Sequence, residues 1–372
     1  NRFLKWYLRT VARQLIRRYT PIVIGVTGSV GKTTAREAIY AVLSRRFVVS
    51  KNINNFNNEF GVPLTIMGVM PLNGDEHYFE KFLFFIKLLH AGIKAWWPAS
   101  QTFPKIMVLE LGADRPGDIV YLAKIVQPTI GVVTAIGDVP VHVEYYASPA
   151  AVIVEKSQLI HALPAAGLAV LNYDDKTVLD MSAGSKAPVR TFGFSNSADV
   201  WISDIALFAA AGKRLGGLSF KLHQKHDNFV PVRINDFIGT HQLYGVMAGA
   251  CVGLHFAMNL VEISQALEHA KSPRGRMNLL TGIKHTTIID DTYNSSPVAA
   301  LAALDALRDY ATSAAQLLGR VGRRIAILGD MKELGRYEAE AHRTLGIRAA
   351  ERADVVIAVG NAGIFTAEAA RT

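Results

Sequence analysis

The chain has 372 residues, half of them hydrophobic, which is enough to bury the cores of two domains. Its one cysteine, Cys251, excludes an intramolecular disulfide and a cysteine-cluster zinc site, and suits a reducing compartment such as the cytoplasm. With 40 Lys and Arg against 31 Asp and Glu, the formal charge is +9, which suits nucleotides, nucleotide-sugars, nucleic acid or an anionic membrane, or else a solvated basic face.

Residues 1–20 read as a basic amphipathic helix. NRFLKWYLRTVARQLIRRY carries six Arg or Lys and no acid, and Pro21 ends it. Such a helix lies on an anionic membrane or docks on its own domain. No apolar h-region with a cleavage site follows, so no secretory signal is expected. The next segment, PIVIGVTGSVGKTTAREAIYAVL, gives a short apolar strand, a glycine-rich turn and a helix. Residues 73–98 form a hydrophobic insert whose core, HYFEKFLFFIKLLHAGIKAWW, is interrupted by Lys81, Lys87 and Lys94. It is too charged for a membrane span, and reads equally as an interfacial helix or as a helix packed on its own domain. The runs KIMVLELGA, TIGVVTAIG and LAVLNYDD are strands, with the helices PGDIVYLAKIV and PAAVIVEKSQLIHAL between them. That alternation predicts a mainly parallel sheet covered on both faces. Alternating runs over 199–235 predict antiparallel strands added to the sheet, and IGTHQLYGVMAGACVGLHFAM a buried helix. KSPRGRM reads as a linker, after which TTIIDDTYNSSP, RRIAILGDM and ADVVIAVGN restart the strand–helix pattern. The expected plan is a helix at 1–20, a central α/β domain at 21–275 and a smaller Rossmann-like α/β domain at 276–372.

The most specific motif is Gly28-Ser29-Val30-Gly31-Lys32-Thr33-Thr34, between strand and helix. Glycines there let backbone N–H groups converge on phosphate oxygens; Lys32 adds a point charge and the Thr33 hydroxyl suits Mg²⁺. The general P-loop pattern wants glycine six residues before the lysine, and Val26 stands there. TGSVGKTT nevertheless resembles the ATP loop of the Mur ligase family, which also lacks that glycine. Four further segments resemble the family in the same order: NNFNNEFGVPLTIM (54–67), LELGADRPGDI (109–119), DDTYNSSP (290–297) and ILGDMKELG (327–335). The first and last are most similar to the branch that adds D-alanyl-D-alanine.

The resemblance implies an α/β fold: a P-loop central domain plus a C-terminal α/β domain, here expected to be incomplete. It also implies an ATP-dependent carboxylate–amine ligase that works through an acyl phosphate and makes a peptidoglycan precursor. Its partners would be a UDP-muramoyl-peptide and D-alanyl-D-alanine. By the same resemblance Thr33, Glu110, His142 and a carbamylated Lys156 face Mg²⁺, with Lys32, Lys156 and His142 as the catalytic set. Asn57, Asn58 and Glu59 lie toward the peptide substrate. Gln242, in Gly239-Thr240-His241-Gln242, stands where the family has an adenine-reading asparagine. Arg276 approaches ATP from the linker, Asp290 or Asp291 takes a ribose hydroxyl, and Tyr293 and Asn294 lie near adenine. Taken alone, Glu110, His142 and Lys156 read as ordinary surface, structural and solvated residues. One departure stands out: only about twenty residues precede the ATP loop, where the family has a UDP-binding domain. Either a piece lies outside this sequence or UDP is held differently. Competing readings are a ligase of the folylpolyglutamate or cyanophycin type and a P-loop ATPase acting on nucleic acid. No basic–aromatic nucleic-acid module is present, so no nucleic-acid partner is expected. A cytoplasmic monomer is expected, with peripheral contact at the inner face of the membrane left open.

Overall fold

Strands with continuous apolar runs must be buried on both faces, and here they form the middle of one large sheet. The computed structural model describes residues 2–52, 56–70, 78–96, 103–210, 214–225, 228–319 and 321–371. Residues 54 and 55 of the first substrate-side segment, and 73–77 and 97–98 of the hydrophobic insert, lie outside these.

In chain order the first half runs α1 (Arg2–Tyr19), β1 (Ile22–Thr27), α2 (Lys32–Leu43), β2 (Val49–Lys51), α3 (Gly61–Met67), α4 (Tyr78–Trp96), β3 (Ile106–Glu110), α5 (Asp118–Val126), β4 (Ile130–Val133), α6 (Pro149–His161), β5 (Leu168–Asn172) and α7 (Lys176–Leu179). Then come β6 (Val189–Gly193), β7 (Val200–Ala210), β8 (Arg214–Gln224), β9 (Asn228–Asn235), α8 (Leu243–His255) and α9 (Leu260–Leu267). The C-terminal part holds β10 (Asn278–Thr281), β11 (Thr287–Asp290), α10 (Pro297–Leu318), β12 (Ile325–Leu328), α11 (Glu338–Arg352), β13 (Val355–Ala358) and α12 (Gly363–Ala369).

Strands β1 to β9 form one sheet of order β2-β3-β1-β4-β5-β6-β7-β8-β9. Pairing is parallel as far as β7 and antiparallel across β7, β8 and β9. The antiparallel addition over 199–235 is therefore present as expected. Because strand side chains alternate, Ile24 and Val26 enter one core with α2 and α8, while Val23 enters the other with α5. The small residues of α8 let it lie directly on α2: a Cβ on Gly245 would come within 2.8 Å of the Ala35 backbone nitrogen.

Of the two readings left open for the first helix, the structure places α1 on its own domain. Val11, Ala12, Leu15 and Ile16 are buried with Val23, Met107 and Ile119 beneath the sheet. Helix α4 packs beside it through Leu88 and Ala91, against Leu8, Leu64 and Val69. The Tyr7 hydroxyl donates to the Leu88 carbonyl at 2.9 Å, and the Arg18 guanidinium to the Ala95 carbonyl at 3.2 Å.

In the C-terminal part β10 and β11 pair antiparallel, while β12, α11 and β13 form a parallel βαβ unit. Helix α10 covers the outer end of the large sheet, where Ala306 and Tyr310 join Leu215, Ile238 and Met277.

Candidate functional site

The site grows from the C-terminal end of β1, the middle of the parallel strands, where ligands collect in open α/β sheets. The turn after β1 depends on two glycines. Gly28 has φ 143° and Gly31 φ 83°, backbone that side-chain-bearing residues rarely adopt. A Cβ on Gly28 would also lie 2.1 Å from the Thr134 hydroxyl. The turn is pinned to the chain after β4, because the Ser29 and Val30 N–H groups both donate to the Ala135 carbonyl, at 2.6 and 3.2 Å. Gly31 then starts α2, so Lys32, Thr33 and Thr34 form its first turn.

Two lysines converge on this turn. Lys32 Nζ donates to the Gly28 carbonyl at 2.8 Å and to Ser29 at 3.3 Å. Lys156 Nζ, from α6, reaches the same Gly28 carbonyl at 3.1 Å, with its side chain 1% exposed. Burial pushes the Lys32 amine below its ordinary value. Burial, and next the neighbouring Lys32 charge, push Lys156 down to about 7. The residue before it, Glu155, holds the start of α5: its carboxylate accepts from the Gly117 and Ile119 N–H groups at 2.8 and 2.7 Å.

Opposite the turn, the parallel register sets Val26 beside Glu110 at the end of β3. The buried Glu110 carboxylate accepts from the Thr33 hydroxyl at 3.1 Å and from the Asn57 amide at 3.0 Å, and Arg36 Nη1 lies 3.5 Å away. Asn52 clamps the Glu110 backbone through both its N–H and its carbonyl. Among the described residues no three His, Cys, Asp or Glu side chains form a metal cluster. The Thr33 hydroxyl and Glu110 carboxylate are nevertheless the oxygen pair that fits Mg²⁺, which takes one or two protein ligands and completes its shell with phosphate and water.

His142 stands in left-handed backbone, φ 66°. Its Nε2 lies 3.4 Å from Asp114, and its Nδ1 lies 2.5 Å from Glu333. Burial lowers its pKa, while the two carboxylates oppose that shift. Glu333 belongs to ILGDMKELG, so the C-terminal part meets the central domain at this histidine; the Glu144 N–H also donates to the Glu333 carbonyl at 3.3 Å.

The first turn of α2 lines one cleft together with His241, Gln242, Arg276 and Asp291. The Gln242 amide is committed inside the protein. Its oxygen accepts from the Ile238 and Gly239 N–H groups, both at 3.1 Å, and its nitrogen donates to Ser272 Oγ at 3.0 Å and the Arg276 carbonyl at 3.4 Å. It fastens the linker to the central domain, and base reading by this amide would require those bonds to be exchanged. The Arg276 guanidinium lies 4.5 Å over the Tyr293 ring. Asp291 accepts from the Met277 N–H at 3.1 Å, and burial raises its pKa against the pull of Arg276. Asp290 accepts from the Thr292 N–H and hydroxyl, at 3.1 and 2.6 Å. Asn294 is exposed and accepts from the Ser295 N–H at 2.9 Å. Asn58 accepts from the Phe60 and Gly61 N–H groups at the start of α3, at 3.1 and 2.9 Å, and Glu59 pairs with Lys5 of α1 at 2.8 Å. Of the three substrate-side residues, only Asn57 turns onto the Glu110 centre.

The structure also brings in Arg36, Asn52, Asp114, Glu155 and Glu333, which no motif in the sequence marks. Asp114 and Glu333 lie inside LELGADRPGDI and ILGDMKELG, but nothing in their spacing marks them as partners of one histidine.

The Mur ligase middle domain matches residues 99–253, and the Mur ligase glutamate ligase domain matches residues 275–372. The chain belongs to the Mur ligase family. Glu110, His142, Lys156 and Gln242 fall in the first match and Arg276, Asp291 and Glu333 in the second, whereas the Lys32 turn precedes both. The chain is 31% identical over 348 residues to the UDP-N-acetylmuramoyl-tripeptide–D-alanyl-D-alanine ligase of Mycobacterium leprae, covering 90% of this chain and 60% of that protein. The chain thus spans about 60% of the length of the first curated relatives it matches. Among solved structures, MurF from Acinetobacter baumannii superposes with a TM-score of 0.78 at 26% identity, covering 98% of this chain and 69% of that one. The MurF ligase of Thermotoga maritima in complex with ADP gives 0.76 at 26% identity, covering 96% and 71%.

Proposed function

We propose that this Mur ligase chain carries the catalytic centre of an ATP-dependent, ADP-forming ligase that joins D-alanyl-D-alanine to a UDP-N-acetylmuramoyl-tripeptide. One observation carries the reading: two lysine amines, the half-buried Lys32 and the buried Lys156, share the Gly28 carbonyl beside the Thr33–Glu110 pair. Two lysine amines crowded on one carbonyl make a pocket suited to a polyanion. The similarity to an ADP-bound ligase over nearly the whole chain supports a nucleotide as that polyanion.

The reaction joins two anions before it joins an acid to an amine. A carboxylate oxygen attacks the γ-phosphorus of ATP, ADP leaves, and an acyl phosphate results. The amine nitrogen then attacks the acyl carbon, phosphate leaves, and the nitrogen loses a proton. Lys32 offsets the charge of the transferring phosphoryl group, and the N–H groups at the start of α2 orient its oxygens. Mg²⁺, when bound at Thr33 and Glu110, supplies further positive charge to the phosphates. Asn57 and Arg36 fix the Glu110 carboxylate for that role. Arg276 brings a cation to the cleft from the linker. With its amine near 7, Lys156 is partly neutral at neutral pH, and so can add to CO₂ and lose a proton to give a carbamate. Carbamylation would turn one of two crowded cations into an anion facing the metal side. The buried thiol of Cys251 suits the reducing cytoplasm where such precursors are made.

The test is phosphate release by the purified protein with ATP and Mg²⁺. Release should require UDP-muramoyl-tripeptide and D-alanyl-D-alanine together, and Lys32→Ala should lower it by roughly 10³-fold. Release driven by a folate with glutamate, or by nucleic acid, would refute the assignment, as would a Lys32→Ala rate near that of the unaltered protein.

A further inference from the structure

A helix that only packs on its own domain needs one apolar face, and α4 has two. Leu88, Ala91 and Ala95 are buried against the domain. On the far side Phe85 is 60% exposed, Leu89 63%, Ile93 60% and Trp96 58%, with Ile86 beside them at 44%. At 3.6 residues per turn these five fall on one stripe. Lys87 and Lys94, both exposed, border the stripe on one edge. On the other edge lies α1, whose outer face carries Phe3 and Trp6, 76% and 59% exposed, along with Arg2, Arg13 and Arg17. Trp6, Arg13 and Arg17 line one shallow depression there.

The cations of this surface divide into two sets. Lys5 pairs with Glu59, Arg9 lies over the Tyr121 ring, and Arg18 bonds the Ala95 carbonyl. Among the described residues Arg2, Arg13, Arg17, Lys87 and Lys94 have no acidic partner. Helix α1 contains no Asp or Glu, and in α4 the one acid, Glu80, lies in the first turn. Among the described residues no helix is long and apolar enough to cross a membrane.

We propose that α1 and α4 together form a docking surface for an anionic lipid bilayer. The stripe from Phe85 to Trp96 enters the boundary between headgroups and acyl chains, Trp6 and Trp96 sit at headgroup level, and the five unpaired cations meet lipid phosphates. Protein interfaces are depleted of lysine in their cores. A two-fold pair of these faces would set like charges against each other, which disfavours a second copy as the occupant. The surface is built from the α1–α4 layer and not from the Lys32 turn, so this inference stands apart from the proposed reaction.

The experiment is co-sedimentation of the full chain with phosphatidylcholine vesicles, with and without phosphatidylglycerol, at low salt. Binding is expected only with the anionic lipid, together with a blue shift of tryptophan emission that Trp96→Phe diminishes. Arg13→Glu with Arg17→Glu should lower partitioning by about 10-fold or more, since each surface cation contributes roughly fivefold. Leu89→Glu with Ile93→Glu should abolish it while circular dichroism and ADP binding stay unchanged. Arg17, Leu89 and Ile93 are exposed, and Arg13 is half-buried with no hydrogen bond from its Nε among the described residues, so the variants are expected to fold. Equal binding to neutral vesicles, or no binding to anionic ones, would overturn the proposal. Concentration-dependent self-association, lost in the Leu89–Ile93 variant and without vesicle binding, would assign the face to a second copy instead.

Discussion

Glu155→Gln tests how the site is held rather than how it reacts. In α6 this side chain is 7% exposed, and each of its oxygens takes one backbone N–H, Gly117 at 2.8 Å and Ile119 at 2.7 Å. It thereby satisfies two of the donors that the start of α5 leaves without helical partners. A glutamine keeps the shape but has one oxygen, so its NH₂ group must face one of the two N–H groups. The variant loses a charge-assisted hydrogen bond and strands a buried donor, a cost of about 2–4 kcal/mol. For a cooperative unit of this size that corresponds to a fall in Tm of about 5–10 °C. Thermal unfolding by circular dichroism would measure it, with Glu144→Gln at an exposed position as the control. The chain leading to Gly117 carries Asp114, which faces His142, so turnover should fall along with stability. A Tm within about 1 °C of the unaltered protein would refute the reasoning, because two buried amide donors would then have been satisfied without a carboxylate.

Gly28→Ala forces a side chain into φ 143° and against the Thr134 hydroxyl, so the turn must shift. Affinity for ADP by calorimetry should fall at least ~10-fold with little change in Tm, because the strain is local. His241 is pushed down to about 4 by burial, so the folded chain holds it neutral while the unfolded chain takes up a proton below its ordinary 6.5. Stability therefore falls as pH drops from 6.5 toward 4, and His241→Gln should remove about 3 kcal/mol of that fall in denaturant melts; an unchanged fall would count against a buried neutral imidazole. Lys156→Ala should lose most activity and regain part of it with formate or acetate, which can replace a carbamate's charge; no rescue at any concentration would argue for an unmodified amine.

Much of the fold could be read along the chain, because apolar strands, glycine turns and amphipathic helices are local signals. The runs over 22–26, 106–110 and 130–133 are the central strands, and GSVGKTT lies where a phosphate turn belongs. The added antiparallel strands were legible from their alternation. What tertiary structure decided was who meets whom. The β1–β3 register sets Glu110 beside Val26, where the Thr33 hydroxyl reaches it from α2, and Lys156 arrives at the Gly28 carbonyl from a helix more than a hundred residues away. His142 gains its two carboxylates from separate parts of the chain, and Gln242 turns inward to hold the linker. The same holds for α1: its composition allowed a membrane or a protein surface, and packing buries one face and leaves the other to solvent. Periodicity fixes which residues share a face, since that follows from backbone geometry within one element. Contacts between elements depend on sheet order and on the shape of loops, which no short window of sequence contains.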